Sequence, residues 1–448
     1  MKISSFTALG GFCLLLCLAA VPGRAQEEAA TREEIEEVKG TLEGLLESST
    51  EYRNYVDALR KIKISGYLQP QYRNASTMDQ PYAIGTFSGG VFPQYTKSMF
   101  QVRRGRLKVT YDNIVTQMVL QIDVTERGVG IKDAYLWLSD PWVKMLALKA
   151  GVFDRPFGYE VSFSSGARES PERARVTQTL FPGERELGAQ LSFAPQLGPL
   201  TFLKADVAVV NGSGPTSTEF DNFKDIIARV SAVFPFEEAG AEIDFGVSGY
   251  FGAVRRNTKA LYGMGTTAAG VPGWVADADT VSLGSGIDRQ YFGADVQVYY
   301  DLPVLGGTIL RGEYVGGKQP GGSASSVSLS ALQTGGLYQR TFSGWYVYLV
   351  QNIGQSFQVL GKYDVYDPNT EVEAGDFVQG SNLTPADLKY STLGLGVLYH
   401  WDENVKFVLY NEFVQNETVP AGSPSSLAAY RDDVRDNVLT FRIQYRFP

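Results

Sequence analysis

Three basic residues that recur at every second position, Arg104, Arg106 and Lys108, have the type and the spacing to bind anions one after another. In a β-strand, residues two apart point to the same face and lie about 6.7 Å from each other. Guanidinium and ammonium groups at that spacing can replace the water around an anion and pass it along. The residues therefore predict an anion-binding surface, provided that the segment is a strand whose charged face meets water.

Residues typical of catalysis, metal binding or nucleic-acid binding do not form a recognisable set. The only histidine is His400, and no serine motif accompanies it. Both cysteines, Cys13 and Cys17, fall in the expected signal peptide, which leaves no thiolate for a metal or a disulfide. Removing Lys2 and Arg24 with that signal lowers the 40 basic residues to 38 against 49 acidic ones, a net charge of about −11 that disfavours nucleic acid. We expect no enzyme, no cofactor and no metal.

The elements that would position the basic residues are indicated most clearly by the segment 438–447. Its apolar residues alternate with polar ones, and the two sets are Leu439, Phe441, Ile443, Tyr445 and Phe447 against Thr440, Arg442, Gln444 and Arg446. A tilted strand of this length can cross a hydrocarbon layer with one face toward lipid and the other toward a wet interior. Such a last strand is typical of bacterial outer-membrane barrels, and the last strand of a soluble sandwich is the alternative.

Fifteen further segments show the same period of two, and no apolar run after the signal reaches the roughly 18 residues of a membrane helix. The sixteen predicted strands are 62–73, 98–111, 114–126, 130–139, 143–153, 186–194, 199–211, 223–234, 241–255, 287–301, 305–316, 340–352, 355–367, 389–401, 404–416 and 435–447. Bacterial single-chain barrels have an even number of strands. The predicted fold class is an all-β membrane protein, a 16-stranded antiparallel transmembrane β-barrel over 62–448.

The connections between these strands alternate between short and long. Short turns alternate with long connections at 74–97, 154–185, 212–222, 256–286, 317–339, 368–388 and 417–434. The link at 127–129 is the exception, because it is short where a long one is expected. Small turns on one side of a membrane and large loops on the other produce this pattern. A soluble sandwich has no reason to lengthen every second loop, so the pattern favours the membrane barrel.

Charge is confined to one face of the predicted strands. In strand 98–111, Leu107, Val109 and Tyr111 would face lipid, and the three basic residues described above would face inward. A charge on the lipid face near the midplane costs roughly 2–4 kcal/mol, so the segregation indicates which face points inward. The inward face also carries three aromatic residues, expected either to guide sugars or to pack a loop: Tyr135, Trp137 and Phe153.

The first sixty residues differ from the rest. Residues 1–25 are predicted to be a secretory signal peptide, with a charged start, an apolar stretch and a small-x-small cleavage site. Residues 26–61 place apolar side chains at alternating steps of three and four, which predicts a helix. Its narrow apolar stripe favours a coiled coil between chains over a helix docked on a domain. Ser49 within the stripe, together with Gly40 and Gly44, predicts a coiled coil of modest strength.

Several segments resemble the phosphate-selective porin O and P family, and the resemblance covers most of 62–448. In the family's order they read ISGYLQ at 64–69, RRGRL at 103–107, KDAY at 132–135, KAGVFDRPFGYE at 149–160, FPGERELG at 181–188 and VNGSG at 210–214. The resemblance implies a trimeric, sixteen-stranded porin of the bacterial outer membrane whose third outer loop folds into the pore. That loop would be 154–185 here, and the N-terminal coiled coil would lie in the periplasm.

On this resemblance, the inward charges line a pore and the loop narrows it. The predicted lining residues are Arg104, Arg106, Lys108, Lys149, Arg229, Arg442, Arg446, Asp123 and Asp133. The predicted constriction loop carries Arg155, Arg168, Arg173, Arg175 and Arg185 against Asp154, Glu160, Glu169, Glu172 and Glu184, so its formal charge is zero. These charges fit a basic ladder for anions, opposed basic and acidic walls as in general porins, or cross-strand pairing of wall charges.

The expected function is passive diffusion of small hydrophilic solutes through a water-filled channel, with anions such as phosphate as the favoured class. The expected partners are outer-membrane lipid, these solutes and two further copies of the chain in a homotrimer. The alternative is a surface structural or adhesive barrel of the outer membrane, with a plugged pore and with outer loops that bind partners.

Overall fold

The computed structural model describes residues 25–77, 83–277 and 283–447. The signal peptide expected over 1–25 therefore lies, except for Ala25, outside the described residues. The chain divides into two compact units, Met1–Arg60 and Lys61–Pro448, and each is described by itself.

The described part of the first unit is one helix, α1, Ala25–Arg60. Its sequence is rich in Glu, Leu and Ala, which are good helix formers. The apolar residues of the three-and-four pattern are exposed along it, among them Val38, Leu42 and Leu45, each more than half exposed. A helix of this kind gains most of its stability by burying its apolar stripe. The coiled coil between chains stays a prediction.

The second unit is built from strands joined by turns and long loops. The strands are β1 Ile62–Ala75, β2 Ser98–Asn113, β3 Thr116–Thr125, β4 Gly128–Ser139, β5 Leu146–Asp154, β6 Arg185–Phe193, β7 Leu203–Val210, β8 Asp225–Phe236, β9 Ala241–Arg255, β10 Leu261–Thr266, β11 Pro272–Asp277, β12 Gly286–Leu302, β13 Gly306–Gly321, β14 Leu337–Ile353, β15 Phe357–Asp367, β16 Tyr390–His400, β17 Val405–Asn416 and β18 Val438–Phe447. Within the described ranges, no helix has both the length and the apolar composition needed to cross a membrane.

Sixteen of these strands form a closed antiparallel barrel. Each barrel strand pairs with the next one, β9 pairs directly with β12, and β1 closes the ring by pairing with both β2 and β18. Gly66 of β1 thus lies between Leu107 of β2 and Phe447 of β18. The predicted 16-stranded barrel is confirmed, with boundaries that differ by a few residues. The hairpin β10–β11 was not expected, and it belongs to the long connection between β9 and β12.

Exposure alternates along the strands as the predicted faces require. Leu107 and Tyr111 of β2 are 39% and 37% exposed, whereas Arg104 and Arg106 are 4% and 6% exposed. The apolar residues cover the outside of the ring, and the charged ones point into it. The long loops lie at one end of the barrel, called the long-loop end below, where the link between β3 and β4 is short, as expected from the sequence. All connections at the other end, called the short-turn end, are short.

A bulge in β2 changes this alternation at one point. The register of β1 and β2 shifts between Gln69 and Pro70, which face Arg104 and Val102, so Arg103 is an extra residue without a cross-strand partner. A bulge of this kind re-aims the side chains beside it, and a proline without an N–H suits such a site. As a result Arg103 and Arg104 both point into the barrel.

The long connection between β5 and β6 folds into the barrel and contains the short helix α2, Arg175–Leu180. Its apolar side chains Phe157, Val176 and Phe181 are buried. They pack with inward aromatic residues of the strands from β9 to β15: Tyr250, Tyr291, Phe342, Tyr346, Tyr348 and Tyr366. Residues 155–184, called the inner loop below, are therefore bound by apolar contacts to one side of the barrel wall.

The long loops build a second apolar cluster at the long-loop end. Trp274 of the β10–β11 hairpin packs with Phe377, Leu383, Leu388 and Leu427 from the loops before β16 and β18. The Trp274 indole and the Arg340 guanidinium both donate to the buried carboxylate of Asp387, at 3.1 and 2.8 Å. The loops at this end thus have a core of their own.

Candidate functional site

Glu172 of the inner loop lies among three arginines inside the barrel. Its carboxylate oxygens accept hydrogen bonds from Arg103 at 2.7 and 2.8 Å, and from Arg104 and Arg442 at 3.1 Å each. Burial alone would raise the pKa of the Glu172 carboxyl, but Arg103, Arg104 and Arg442 hold that pKa well below its ordinary value. The carboxylate therefore stays ionised and joins the inner loop to β2 and β18.

Further ion pairs fix the rest of the inner loop. Glu169 accepts from Arg311 of β13 at 2.7 Å, which is a contact to the wall opposite β2. Glu184 pairs with Lys132 of β4 and with Arg173 of the loop itself. Burial would raise the pKa of the Glu184 carboxyl, but Arg173, Lys132 and Arg185 hold it well below its ordinary value. Glu169, Glu172 and Glu184 are thus matched by basic groups, whereas Glu160 accepts from the Ala174 backbone N–H and the Thr177 hydroxyl.

The five predicted loop arginines have different surroundings. Arg155 pairs with Glu186 of β6 at 3.0 Å and so connects the loop to the wall. Arg185 is the first residue of β6 itself and pairs with Asp133 of β4 at 2.8 Å, which joins two wall strands. Arg168 donates to the backbone carbonyls of Ser170 and Pro171. Arg173 pairs with Glu184. The Arg175 guanidinium lies 4.4 Å from the ring centroid of Phe87 and 4.0 Å from that of Tyr390.

The three basic residues of β2 lie inside the barrel in one row. Arg104 is bound by Glu172, and Arg106 lies 3.4 Å from the carboxylate of Asp123 across the β2–β3 pair. Lys108 faces Gln121 across the same pair and makes no ion pair within the described residues. Arg106 is therefore paired across the strands and Arg104 is bound by the inner loop. The positive charge of Lys108 remains available to bind an anion.

The other predicted lining residues fall into two groups. Lys149 pairs with Asp154 at 3.3 Å and lies near the β2 row, while Arg442 is bound by Glu172. Arg446 is exposed near the end of β18. Arg229 of β8 lies on the other side of the barrel, where it donates to Asp295 at 2.9 Å and to the Ser248 hydroxyl that also accepts from Gly158 of the inner loop. Arg229 is thus not brought together with the β2 row.

Three cavities of the described chain follow the wall from β1 to β5. The upper cavity, about 340 Å³, lies toward the long-loop end beside Arg103, Lys132 and Glu184. The lower cavity, about 380 Å³, lies beside Lys108, Asp133 and Arg185. Both are lined by Arg106 and Arg173, which therefore stand at the constriction between them. The mouth cavity, about 370 Å³, lies at the turn 112–116 and shares Tyr135 with the lower cavity.

Sequence reasoning missed three members of this site: Arg103, Lys132 and the anchoring role of Glu172. Strict alternation sends Arg103 toward lipid, and the bulge beside Pro70 is what turns it inward. The signal that was available is the pair Arg103-Arg104, because one of two adjacent charges in a lipid-facing strand must leave the outer face. Within the described residues no cluster of His, Cys, Asp and Glu has the composition of a metal site.

Comparison with known proteins gives a family and a fold. The family model described as phosphate-selective porin O and P matches residues 93–447. Among solved structures, OprB of Pseudomonas putida is similar at 10% identity, with 88% of this chain and 96% of that chain covered and a TM-score of 0.55.

Two further similar structures are the outer membrane channel DcaP of Acinetobacter baumannii and an anion-selective porin from Comamonas acidovorans. The first is 14% identical, with 86% of this chain and 97% of that chain covered and a TM-score of 0.49. The second is 11% identical, with 86% and 99% covered and a TM-score of 0.46. No curated protein sequence matches the chain.

Proposed function

Since the chain belongs to the phosphate-selective porin O and P family, we propose that its barrel is a water-filled pore through which small hydrophilic solutes diffuse passively, with a preference for anions. Family membership and the closed barrel indicate an outer-membrane channel rather than an enzyme. In barrels of this kind the short turns are periplasmic and the long loops extracellular, so the mouth cavity would open toward the periplasm.

The chain of cavities along β1–β5 supports a diffusion path. The inner loop packs its apolar residues against the wall from β9 to β15, and this packing fills that side of the lumen. The upper, lower and mouth cavities share lining residues in succession, Arg106 and Arg173 first and then Tyr135. A solute that passes Arg106 and Arg173 would therefore meet polar walls on both sides of the constriction.

The charge balance of that path is the observation that carries the anion preference. The upper and lower cavities together are lined by eight basic and five acidic residues: Arg103, Arg104, Arg106, Lys108, Lys132, Arg173, Arg185 and Arg446 against Asp123, Asp133, Asp154, Glu172 and Glu184. The path thus carries an excess of three positive charges in a protein whose net charge is −9. A charged lining of this kind concentrates ions of the opposite sign.

Acidic residues elsewhere inside the barrel do not offset this excess, because they hold the inner loop, as Glu313 and Asp364 do, or pair with wall residues, as Asp225 and Asp295 do with Arg289 and Arg229. Glu313 accepts from the backbone N–H groups of Tyr159 and Glu160 at 3.2 and 3.1 Å. Asp364 accepts from the backbone N–H of Arg175 at 3.3 Å. These carboxylates lie on the wall that the loop covers, away from the path.

We further propose a homotrimer embedded in outer-membrane lipid. The outer face of the barrel is a continuous apolar surface suited to lipid and to neighbouring barrels, with Leu120, Leu148 and Leu191 each more than two-fifths exposed. The exposed apolar stripe of α1 supports a second contact, because such a stripe is stable in water only when a partner covers it. Three parallel copies would cover it in a coiled coil.

Lys108 provides the most direct test of the anion preference. The variant Lys108→Gln removes one positive charge from the lower cavity without breaking an ion pair of the described residues. In planar bilayers under a KCl gradient, the reversal potential should shift toward that of K⁺, and more strongly at low salt, where screening is weak. Replacing Arg104 instead would also remove one of the three guanidinium groups that hold Glu172, so it would mix selectivity with loop position.

A matched control is Lys144→Gln, which changes a basic residue in the exposed turn 140–145 that lines none of the three cavities. Its reversal potential should equal that of the unmodified protein. Two results would contradict the anion preference and leave a general pore. One is a reversal potential with the sign of cation selectivity in the unmodified protein, and the other is an unchanged reversal potential in Lys108→Gln.

A further inference from the structure

Two aromatic side chains lie on the inner wall of β4 near the short-turn end, although the interior of a wide membrane barrel is normally polar. Tyr135 and Trp137 point inward, since Leu136 between them is 54% exposed on the outer face. Their rings form an aromatic surface at the mouth cavity, beside the polar side chains of Gln117 and Ser139.

Packing of the inner loop explains only part of this surface. Phe153 is fully buried in the apolar cluster beneath the loop, and Tyr135 packs against the edge of that cluster. Trp137 belongs to none of the apolar clusters of the described residues and lines the mouth cavity instead. Its indole N–H donates to the Ser139 hydroxyl at 2.8 Å, which fixes the ring in place.

A cation lies on the same aromatic surface. Lys149 is directly opposite Trp137 across the β4–β5 pair. Its ammonium group is 5.4 Å from the Trp137 ring centroid, 5.1 Å from that of Tyr135 and 5.3 Å from that of Phe153. These distances are within the range of cation–π attraction. Lys108, which has no ion pair within the described residues, lines the lower cavity where it meets the mouth cavity at Tyr135.

From this juxtaposition we propose that the mouth of the pore holds a binding subsite for small carboxylates that carry an aromatic ring. The ring would lie on Trp137 and Tyr135, and the carboxylate would be directed toward Lys108, because Lys149 is already paired with Asp154. A negatively charged aromatic solute suits the site better than an uncharged sugar, because Lys108 of the adjoining lower cavity carries a positive charge that no ion pair of the described residues neutralises. The subsite rests on the proposed diffusion function and names one class of solute for it.

Competition with chloride tests the subsite. The full-length protein is placed in planar bilayers in KCl, and benzoate or acetate is added on the side of the short turns while the chloride current is recorded. Benzoate should reduce the current at concentrations about 2- to 10-fold below those needed for acetate, the range that one aromatic contact supplies. Trp137→Ala should remove this difference between the two carboxylates, and Trp137→Phe should keep most of it.

A control and the opposing outcomes separate this subsite from the pore itself. Trp345→Ala removes a ring from the outer face, where Trp345 is 36% exposed, and should leave the benzoate preference unchanged. Equal effects of benzoate and acetate on a conducting protein, or a preference that survives Trp137→Ala, would overturn the subsite while the diffusion function stands. A natively folded protein that conducts no chloride would contradict the diffusion function and the subsite together.

Discussion

At the scale of single residues, Glu172 connects the inner loop to β2 and β18. This carboxylate is 2% exposed and is shared by Arg103, Arg104 and Arg442. Taking away the acidic partner of such a buried network leaves several guanidinium groups without compensation, which costs about 3–5 kcal/mol. The inner loop would detach from the wall before the barrel unfolds, because the other polar contacts of the loop are fewer than the hydrogen bonds between the strands.

We therefore expect Glu172→Gln to loosen the inner loop. The change should lower the temperature of thermal unfolding and make the single-channel current noisier than that of the unmodified protein, because a mobile loop alters the constriction at Arg106 and Arg173. Arg104→Gln is the matched control, since Glu172 then keeps Arg103 and Arg442, and its effect should be smaller. Currents and unfolding temperatures equal to those of the unmodified protein would show that Glu172 does not hold the loop.

The same carboxylate predicts how the loop responds to acid. Because the pKa of Glu172 is lowered in the folded protein, its stabilisation is complete above the ordinary value of 4.5 and is lost only as the pH falls through the lowered value. The loop should consequently stay bound between pH 7 and pH 5. Current noise that rises already in this interval would contradict the assignment.

The positions of many charged side chains of the site could be predicted from the sequence, but the residues with which they form ion pairs could not. The inward row Arg104, Arg106 and Lys108 follows from alternation alone. The partner of Arg104 does not, because Glu172 lies 68 residues further along the chain and Arg442 lies 270 residues beyond Glu172. Such pairs depend on where the loop packs, and that packing is decided by apolar contacts with strands far away in sequence.

At the scale of elements, the barrel strands follow from the sequence because each has to alternate between lipid and the interior. The hairpin β10–β11 was missed because it lies outside the hydrocarbon layer, where no such alternation is imposed. Its short strands contain Gly263, Gly265 and Gly273, and glycine weakens a strand signal. The apolar cluster around Trp274 was also missed. Its residues come from loops in three parts of the chain, so no local sequence pattern brings them together.

The helix α1 carries the prediction that belongs to this scale. Leu42 is 54% exposed in the middle of the apolar stripe. If three chains share that stripe, Leu42→Asp places a charge in each copy at a buried seam, and the trimer should dissociate at a lower temperature in mild detergent, as measured by size-exclusion chromatography with light scattering. The barrels themselves should still associate at room temperature.

Thr41→Asp is the control for this change, because it adds the same charge one position away from the stripe. Its trimer should dissociate at the temperature of the unmodified protein. A full-length protein with the mass of a single chain would contradict the trimer, and equal effects of the two substitutions would contradict the coiled coil.

At the scale of the whole molecule, the interior is divided into two unlike halves. The wall from β9 to β15 is covered by the inner loop through aromatic packing, and its carboxylates hold loop backbone. The wall from β1 to β5 borders the three cavities and carries the excess of basic groups. Composition alone could not predict this division, because the net charge of −9 conceals a basic path.

We propose that this path is open and prefers anions, and the current of the unmodified full-length protein in planar bilayers tests both properties. With a tenfold KCl gradient across the membrane, we expect stable, ohmic openings whose reversal potential has the sign of chloride selectivity. Silence from natively folded barrels would contradict this expectation, and would instead favour a plugged surface barrel whose outer loops, with their own apolar core around Trp274, bind partners.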